Sequence, residues 1–218
     1  MSPREGRRTL LLDFGGVIVR TIFECLDDIE RHFELRLGSL DWTGPLDPAR
    51  DAGWRAMLDG GISERDYWRE RLSALGQLVG REVGMAEVIA AMSGADPNRA
   101  VRAEAAATVT RAKAAGCRIG VLTNDLERIY RRDVVAQFAI LREMDAVVDG
   151  SRSGVRKPSP DAFAGALAAL RSTAEEAVLV DDQPRNVEAA IALGMAGVAF
   201  DVRAPASSFR AAERLLGL

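Results

Sequence analysis

Five short apolar runs, each closing on an acid or a hydroxyl, constrain the fold of this chain more than any other feature: Thr9–Asp13, Arg118–Thr123, Asp145–Asp149, Ala177–Asp181 and Gly197–Asp201. Their apolar residues are continuous rather than alternating. A strand of that kind has both faces covered, as in a parallel sheet flanked by helices. The segments between most of the runs supply the helices. Residues 99–115 are alanine-rich and stop at Gly116, a residue suited to the left-handed turn that ends a helix. Residues 126–140 follow Asn124-Asp125, which can cap a helix, and 160–170 follow Ser159 with proline at the first position, where its missing N–H costs nothing. The alternation predicts an α/β fold, a Rossmann-like parallel sheet with helices on both faces.

One stretch breaks the alternation. Residues 20–96 hold no strand-like run and several helical ones, and they separate the first strand from the second. That is far longer than an ordinary connection, so it reads as an inserted helical cap subdomain, with 1–19 and 97–218 forming the core domain. Within it Ser63 can cap a helix, with Asp66 reaching back and Ile62 packing on Tyr67. Trp42, Trp54 and Trp68 all fall here, and with Tyr67 they suit the core of a small helical body better than a substrate wall.

Composition removes several function classes. The 29 basic and 32 acidic residues of the 218 leave a net charge of -3, which gives no electrostatic reason to expect nucleic acid or an anionic membrane as partner. The single histidine, His32, excludes paired-histidine zinc motifs. Cys25 and Cys117 form neither a CxxC pair nor a dense framework, which suits a reducing, cytoplasmic setting with two inert thiols. The basic Arg4, Arg7 and Arg8 precede an apolar run that Asp13 stops, too short for a signal sequence. No apolar run approaches membrane-span length.

Ligands of open α/β sheets bind at the carboxyl ends of the strands, so residues there should meet even when distant in sequence. Those ends carry Asp13, Thr123 and the pair Asp181-Asp182, with Lys157 following the third strand. Carboxylates beside a hydroxyl and a lysine make poor core but suit Mg²⁺ and a phosphoryl group, since the metal takes hard oxygens and the ammonium adds a compact charge. Lys157 is one of only two lysines in an arginine-rich chain, the other being Lys113.

The segments Leu12-Asp13-Phe14-Gly15-Gly16-Val17-Ile18, Leu122-Thr123-Asn124, Arg156-Lys157-Pro158 and Val180-Asp181-Asp182-Gln183-Pro184-Arg185-Asn186 resemble, in order, the four motifs of the haloacid dehalogenase (HAD) superfamily. Gly60-Gly61-Ile62-Ser63 and the helix after it are similar to the cap of the subgroup containing soluble epoxide hydrolase phosphatase domains and sugar-1-phosphate phosphatases. The resemblance implies a Mg²⁺-dependent phosphohydrolase acting on a small phosphorylated metabolite, with a cap that closes over the site. No heptad seam appears in the sequence, and monomer and homodimer both stay open. It implies Asp13 as nucleophile, forming an aspartyl-phosphate, with Thr123 and the amide of Asn124 holding the phosphoryl group and Phe14, Gly15 and Gly16 adding backbone donors. Lys157 neutralises Asp13 and a phosphate oxygen. Asp13, Gly15, Asp182 and Asp181 are the metal-binding residues, Asp181 directly or through water, and Asn186 orients Asp182 from behind.

The chain departs from the resemblance at Gly15, where most phosphatases of the superfamily carry a second aspartate that protonates the leaving group. Its loss typically costs ~10²–10⁴ in rate. The gap favours good leaving groups, such as acyl phosphates or anomeric sugar phosphates, or is filled from the cap by Glu24, Asp27, Asp28 or His32. Two other readings remain: a degenerate phospho-ligand or protein binding module, and a metal-independent 2-haloacid dehalogenase, which the tandem acids at Asp181-Asp182 disfavour.

Overall fold

Parallel pairing of the apolar runs builds one sheet. In the computed structural model, which describes residues 8–218, they form β1 (Thr9–Leu12), β2 (Arg118–Thr123), β3 (Ala146–Asp149), β4 (Ala177–Asp181) and β5 (Ala196–Ala199). Arg4 and Arg7 lie outside the described residues. The strand order is β3-β2-β1-β4-β5, all parallel. Every residue of β1 and β4 is buried, as their unbroken apolar runs require, while β3 at one edge is partly exposed. The chain steps outward from β1 to β3, then returns to the other side of β1 for β4. Connections therefore diverge between β1 and β4, the topological switch point where such sheets bind ligands. Leu12 lies level with Val121 of β2 and Val180 of β4, so the three carboxyl ends come out together.

Two compact units divide the chain: residues 8–20 with Ala100–Leu218, and Thr21–Arg99. The second unit contains α1 (Leu26–His32), α2 (Ala52–Leu58), α3 (Glu64–Val79) and α4 (Met85–Ser93). Ile22, Phe23, Ile29, Tyr67, Leu75 and Val88 lie in its core. Phe23 packs against Trp54, Tyr67 and Trp68, and Trp68 against Trp42, so the tryptophans serve that core. At the start of α3, Ser63 Oγ accepts from the Asp66 N–H at 3.1 Å and donates to the Asp66 carboxylate at 2.6 Å. Asp51 is a buried hub of the same unit. Its carboxylate accepts from the Trp54 and Gly44 N–H groups, the Tyr67 hydroxyl and the Arg71 guanidinium. Burial alone would raise its pKa, but the bonds from Trp54, Tyr67 and Gly44 and the charge of Arg71 outweigh that and hold it below the ordinary 3.8.

The first unit contains α5 (Ala103–Ala114), α6 (Leu126–Ile129), α7 (Arg132–Val135), α8 (Gly150–Ser153), α9 (Pro160–Ala169), α10 (Pro184–Ala192) and α11 (Pro205–Leu216). On one face Leu11, Leu122 and Leu179 pack with Phe163 and Ala166 of α9 and Ala190 of α10. Helices α5 and α11 pack on each other and cover the opposite face. The helix expected over residues 126–140 is broken into α6, α7 and a 3₁₀ turn at Ala139–Glu143. Tyr130 and Arg131 are extended there, and the Tyr130 ring packs edge-on against Phe14 and Phe138. Burying that ring outweighs the helical bonds of an arginine-rich segment. Among the described residues no helix is long and apolar enough to cross a membrane.

Candidate active site

Asp13 follows β1 and donates its N–H to Val180 O at 2.9 Å, which ties it to the strand ending at Asp181. Lys157 Nζ joins the two acids, donating to Asp13 Oδ1 at 2.7 Å and to Asp181 Oδ2 at 2.5 Å. Lys157 and Asp181 are buried, and the Asp13 side chain is only 13 % exposed. Burial pushes the Asp13 carboxyl up to about 6, with the Lys157 charge pulling against that and the Asp181 charge adding to it. Burial also works against the Lys157 ammonium, but Asp13 and Asp181 outweigh it and hold its pKa above the ordinary value. The lysine is therefore a fixed cation.

The lysine is held from its backbone as well. Asn124, next to Thr123 at the end of β2, accepts from Lys157 N–H through Oδ1 at 2.8 Å and donates through Nδ2 to Lys157 O at 3.1 Å. The Lys157-Pro158 peptide is cis. Asp149, level with Thr123 across the sheet, fixes the turn that carries Asn124. Its buried carboxylate accepts from the Leu126 and Glu127 N–H groups and from the N–H and hydroxyl of Ser151. Neither the Asn124 clamp nor the Asp149 hub was anticipated from the sequence. The only signal for Asp149 was its place at the end of an apolar run.

The loop after Asp13 is shaped to offer N–H groups. Phe14 O accepts from both Ile18 and Val19, each at 3.0 Å, and Gly16 takes the left-handed conformation with φ of 78°. The N–H groups of Gly15 and Val17 have no backbone acceptor among the described residues, while Gly15 forms a parallel bridge to Val19. Amides flanking a left-handed residue can form an anion-binding nest. Val17 lies in the same loop as the expected donors Phe14, Gly15 and Gly16.

Asp13, Asp181 and Asp182 each offer a carboxylate oxygen, and the three oxygens lie within 4.8 Å of one another. Three carboxylates against one ammonium suit a small, hard divalent cation. Asp181 has limited capacity for it, because Oδ1 already accepts from Gln183 N–H and Asn186 Nδ2, each at 2.9 Å, and Oδ2 from Lys157. A cation held at this cluster would therefore meet Asp181 through water. Asn186 was expected to orient Asp182, but its amide bonds to Asp181 instead. Its Oδ1 is buried and has no hydrogen-bond partner among the described residues, an acceptor that a metal-bound water would satisfy.

In the helical unit, the four residues considered as substitutes for the aspartate missing at Gly15 all have partners of their own. Glu24 accepts from the N–H and hydroxyl of Thr21, Asp27 and Asp28 pair with Arg31, and His32 lies 3.8 Å from Glu87.

The chain belongs to the haloacid dehalogenase-like hydrolases, whose family model matches residues 7–194. It is an enzyme of that superfamily. It is 28% identical over 168 residues to the bifunctional epoxide hydrolase 2 of Rattus norvegicus, covering 75% of this chain and 28% of that one. It is 34% identical over 83 residues to the tyrosine-protein kinase PtkA of Mycobacterium tuberculosis, covering 38% of this chain and again 28% of the relative. The chain thus spans little more than a quarter of the length of either. Among solved structures, the putative HAD-hydrolase YfnB from Bacillus subtilis, bound to magnesium, shares the fold with a TM-score of 0.62 at 15% identity, over 89% of this chain and 87% of that one. The L-2-haloacid dehalogenase from Xanthobacter autotrophicus shares it with a TM-score of 0.53 at 20% identity, over 88% and 77%.

Proposed function

We propose that the protein is a Mg²⁺-dependent phosphohydrolase that cleaves a small phosphorylated metabolite through an aspartyl-phosphate on Asp13. The observation that carries this reading is the Asp13–Lys157–Asp181 ion cluster with Asp182 beside it at the switch point. One Asp13 oxygen attacks phosphorus, and the bond to the leaving group breaks with its electron pair going to the leaving oxygen. Lys157 balances the charge of the nucleophile, and backbone amides of the loop after Asp13 receive the non-bridging oxygens. Water then attacks the phosphorus of the acyl phosphate, releasing phosphate and restoring Asp13. Asp182 and Asp13 are the residues that would hold Mg²⁺, which when bound neutralises charge on the phosphoryl oxygens. With glycine at position 15, the reading favours substrates whose leaving group needs little protonation, such as acyl or anomeric sugar phosphates.

Cys25 and Cys117 form no disulfide among the described residues, which supports a cytoplasmic setting, and a monomer or homodimer is the state proposed. The test is hydrolysis of p-nitrophenyl phosphate with Mg²⁺, with EDTA, and by Asp13→Asn. Turnover that needs both metal and Asp13 is expected. Tight binding of phosphorylated ligands without turnover would instead favour the degenerate binding module, and chloride release from a haloacid in EDTA would favour the dehalogenase.

A further inference from the structure

Arg102 lies far from the four motifs in sequence, at the cap position of α5, and is buried. Its guanidinium donates from both Nε and Nη2 to a single acceptor, Gly16 O, at 3.2 and 3.0 Å. Its own N–H donates to Ile18 O at 2.9 Å, and its guanidinium lies 5.4 Å from the centre of the Phe200 ring. One residue thus grips the loop after Asp13 at two carbonyls, while Val19 and Val101 bridge beside it. Arg102 has no part in the phosphoryl chemistry described above.

A planar trans peptide points its C=O and the following N–H in opposite directions. Drawing Gly16 O toward Arg102 therefore turns the Val17 N–H the other way and fixes the plane of the left-handed residue on which the amide nest depends. A charge-assisted bond to a carbonyl also polarises its peptide, which makes the N–H of that peptide a stronger donor. We propose that Arg102 is a positioning residue for phosphoryl transfer: by clamping Gly16 O it orients and polarises the Gly16–Val17 peptide, whose N–H receives a transferring phosphoryl oxygen. This rests on the phosphohydrolase reading.

The experiment compares wild type, Arg102→Met and Arg102→Lys in p-nitrophenyl phosphate hydrolysis and in calorimetric binding of orthovanadate, a mimic of the five-coordinate phosphoryl group. The methionine keeps the buried aliphatic stem and loses both donors. Its kcat should fall about 10- to 100-fold while KM changes less than about threefold, because a group aimed at the transition state acts mainly there. Vanadate affinity should fall by a similar factor, and the lysine should recover part of both losses. A melting temperature that drops while vanadate affinity and kcat per folded molecule stay at the wild-type level would overturn the proposal, since Arg102 would then only hold the fold together. If the methionine variant does not fold, the lysine variant decides: weakened vanadate binding supports the role and unchanged binding overturns it. Absence of wild-type hydrolysis would remove the phosphohydrolase reading, yet vanadate binding would still decide whether Arg102 shapes the nest.

Discussion

At Gly15 a Cβ would meet no atom within 4 Å, and the backbone is not in the left-handed region. An aspartate Cβ there has room and no backbone penalty. Gly15→Asp should therefore raise kcat/KM for alkyl phosphates by about tenfold or more, with a smaller gain for p-nitrophenyl phosphate, because a restored acid helps most where the leaving group is poor. A parallel assay of the two substrates checks this. Asn124→Ala removes both side-chain bonds to the Lys157 backbone. It should lower kcat about tenfold with little change in thermal stability, measurable by steady-state kinetics beside a melting curve. Asp13, Lys157 and Asp181 could be nominated from the sequence because each ends or follows an apolar run. The Asn124 clamp could not, since it joins peptides 33 residues apart. The Arg102 clamp spans 86 residues and involves a carbonyl, which carries no side-chain signal. Asn186 shows the limit from the other side: its spacing from the acidic pair was readable, but which acid it bonds was not.

The five strands were legible because a strand covered on both faces is apolar throughout. Boundaries moved by only a residue or two: the run 197–201 became Ala196–Ala199 and 145–149 became Ala146–Asp149. The helix over 126–140 was misread because its amino-acid pattern is helical while its tertiary contacts are not. Tyr130 leaves the helix to meet Phe14, a contact 116 residues away that no local pattern encodes. Asp149 holds the start of this broken segment, so Asp149→Ala should cost about 2–3 kcal/mol and loosen the turn carrying Asn124. Denaturant unfolding would show the first, and a drop in kcat the second. Gly120, in β2, has a packing reason: a Cβ there would approach Leu170 Cδ1 at 2.7 Å. Gly120→Val should destabilise the sheet by about 1–3 kcal/mol, read from the same denaturant curves.

The division into two units gives the whole molecule two separable responses. All three tryptophans lie in Thr21–Arg99, so their fluorescence reports on that unit. Asp51 has a folded pKa below its ordinary 3.8, so its contribution is fully present above that value and is lost as pH falls through the lower, folded one. Acid titration followed by tryptophan emission should show the helical unit weakening below about pH 4. Asp51→Asn should flatten that dependence while lowering stability at neutral pH, since the amide can accept through only one oxygen where four donors converge. In the α/β unit, Mg²⁺ should raise the melting temperature of wild type but not of Asp182→Asn.

On the proposed reading the phosphoryl group is carried by Asp13. This is tested most directly by quenching the enzyme in acid during turnover of p-nitrophenyl phosphate with Mg²⁺ and mapping phosphorylated peptides by mass spectrometry. One phosphoryl group on Asp13 is expected, absent from Asp13→Asn and from enzyme quenched in EDTA. Sustained turnover with no phosphorylated Asp13 peptide would contradict it.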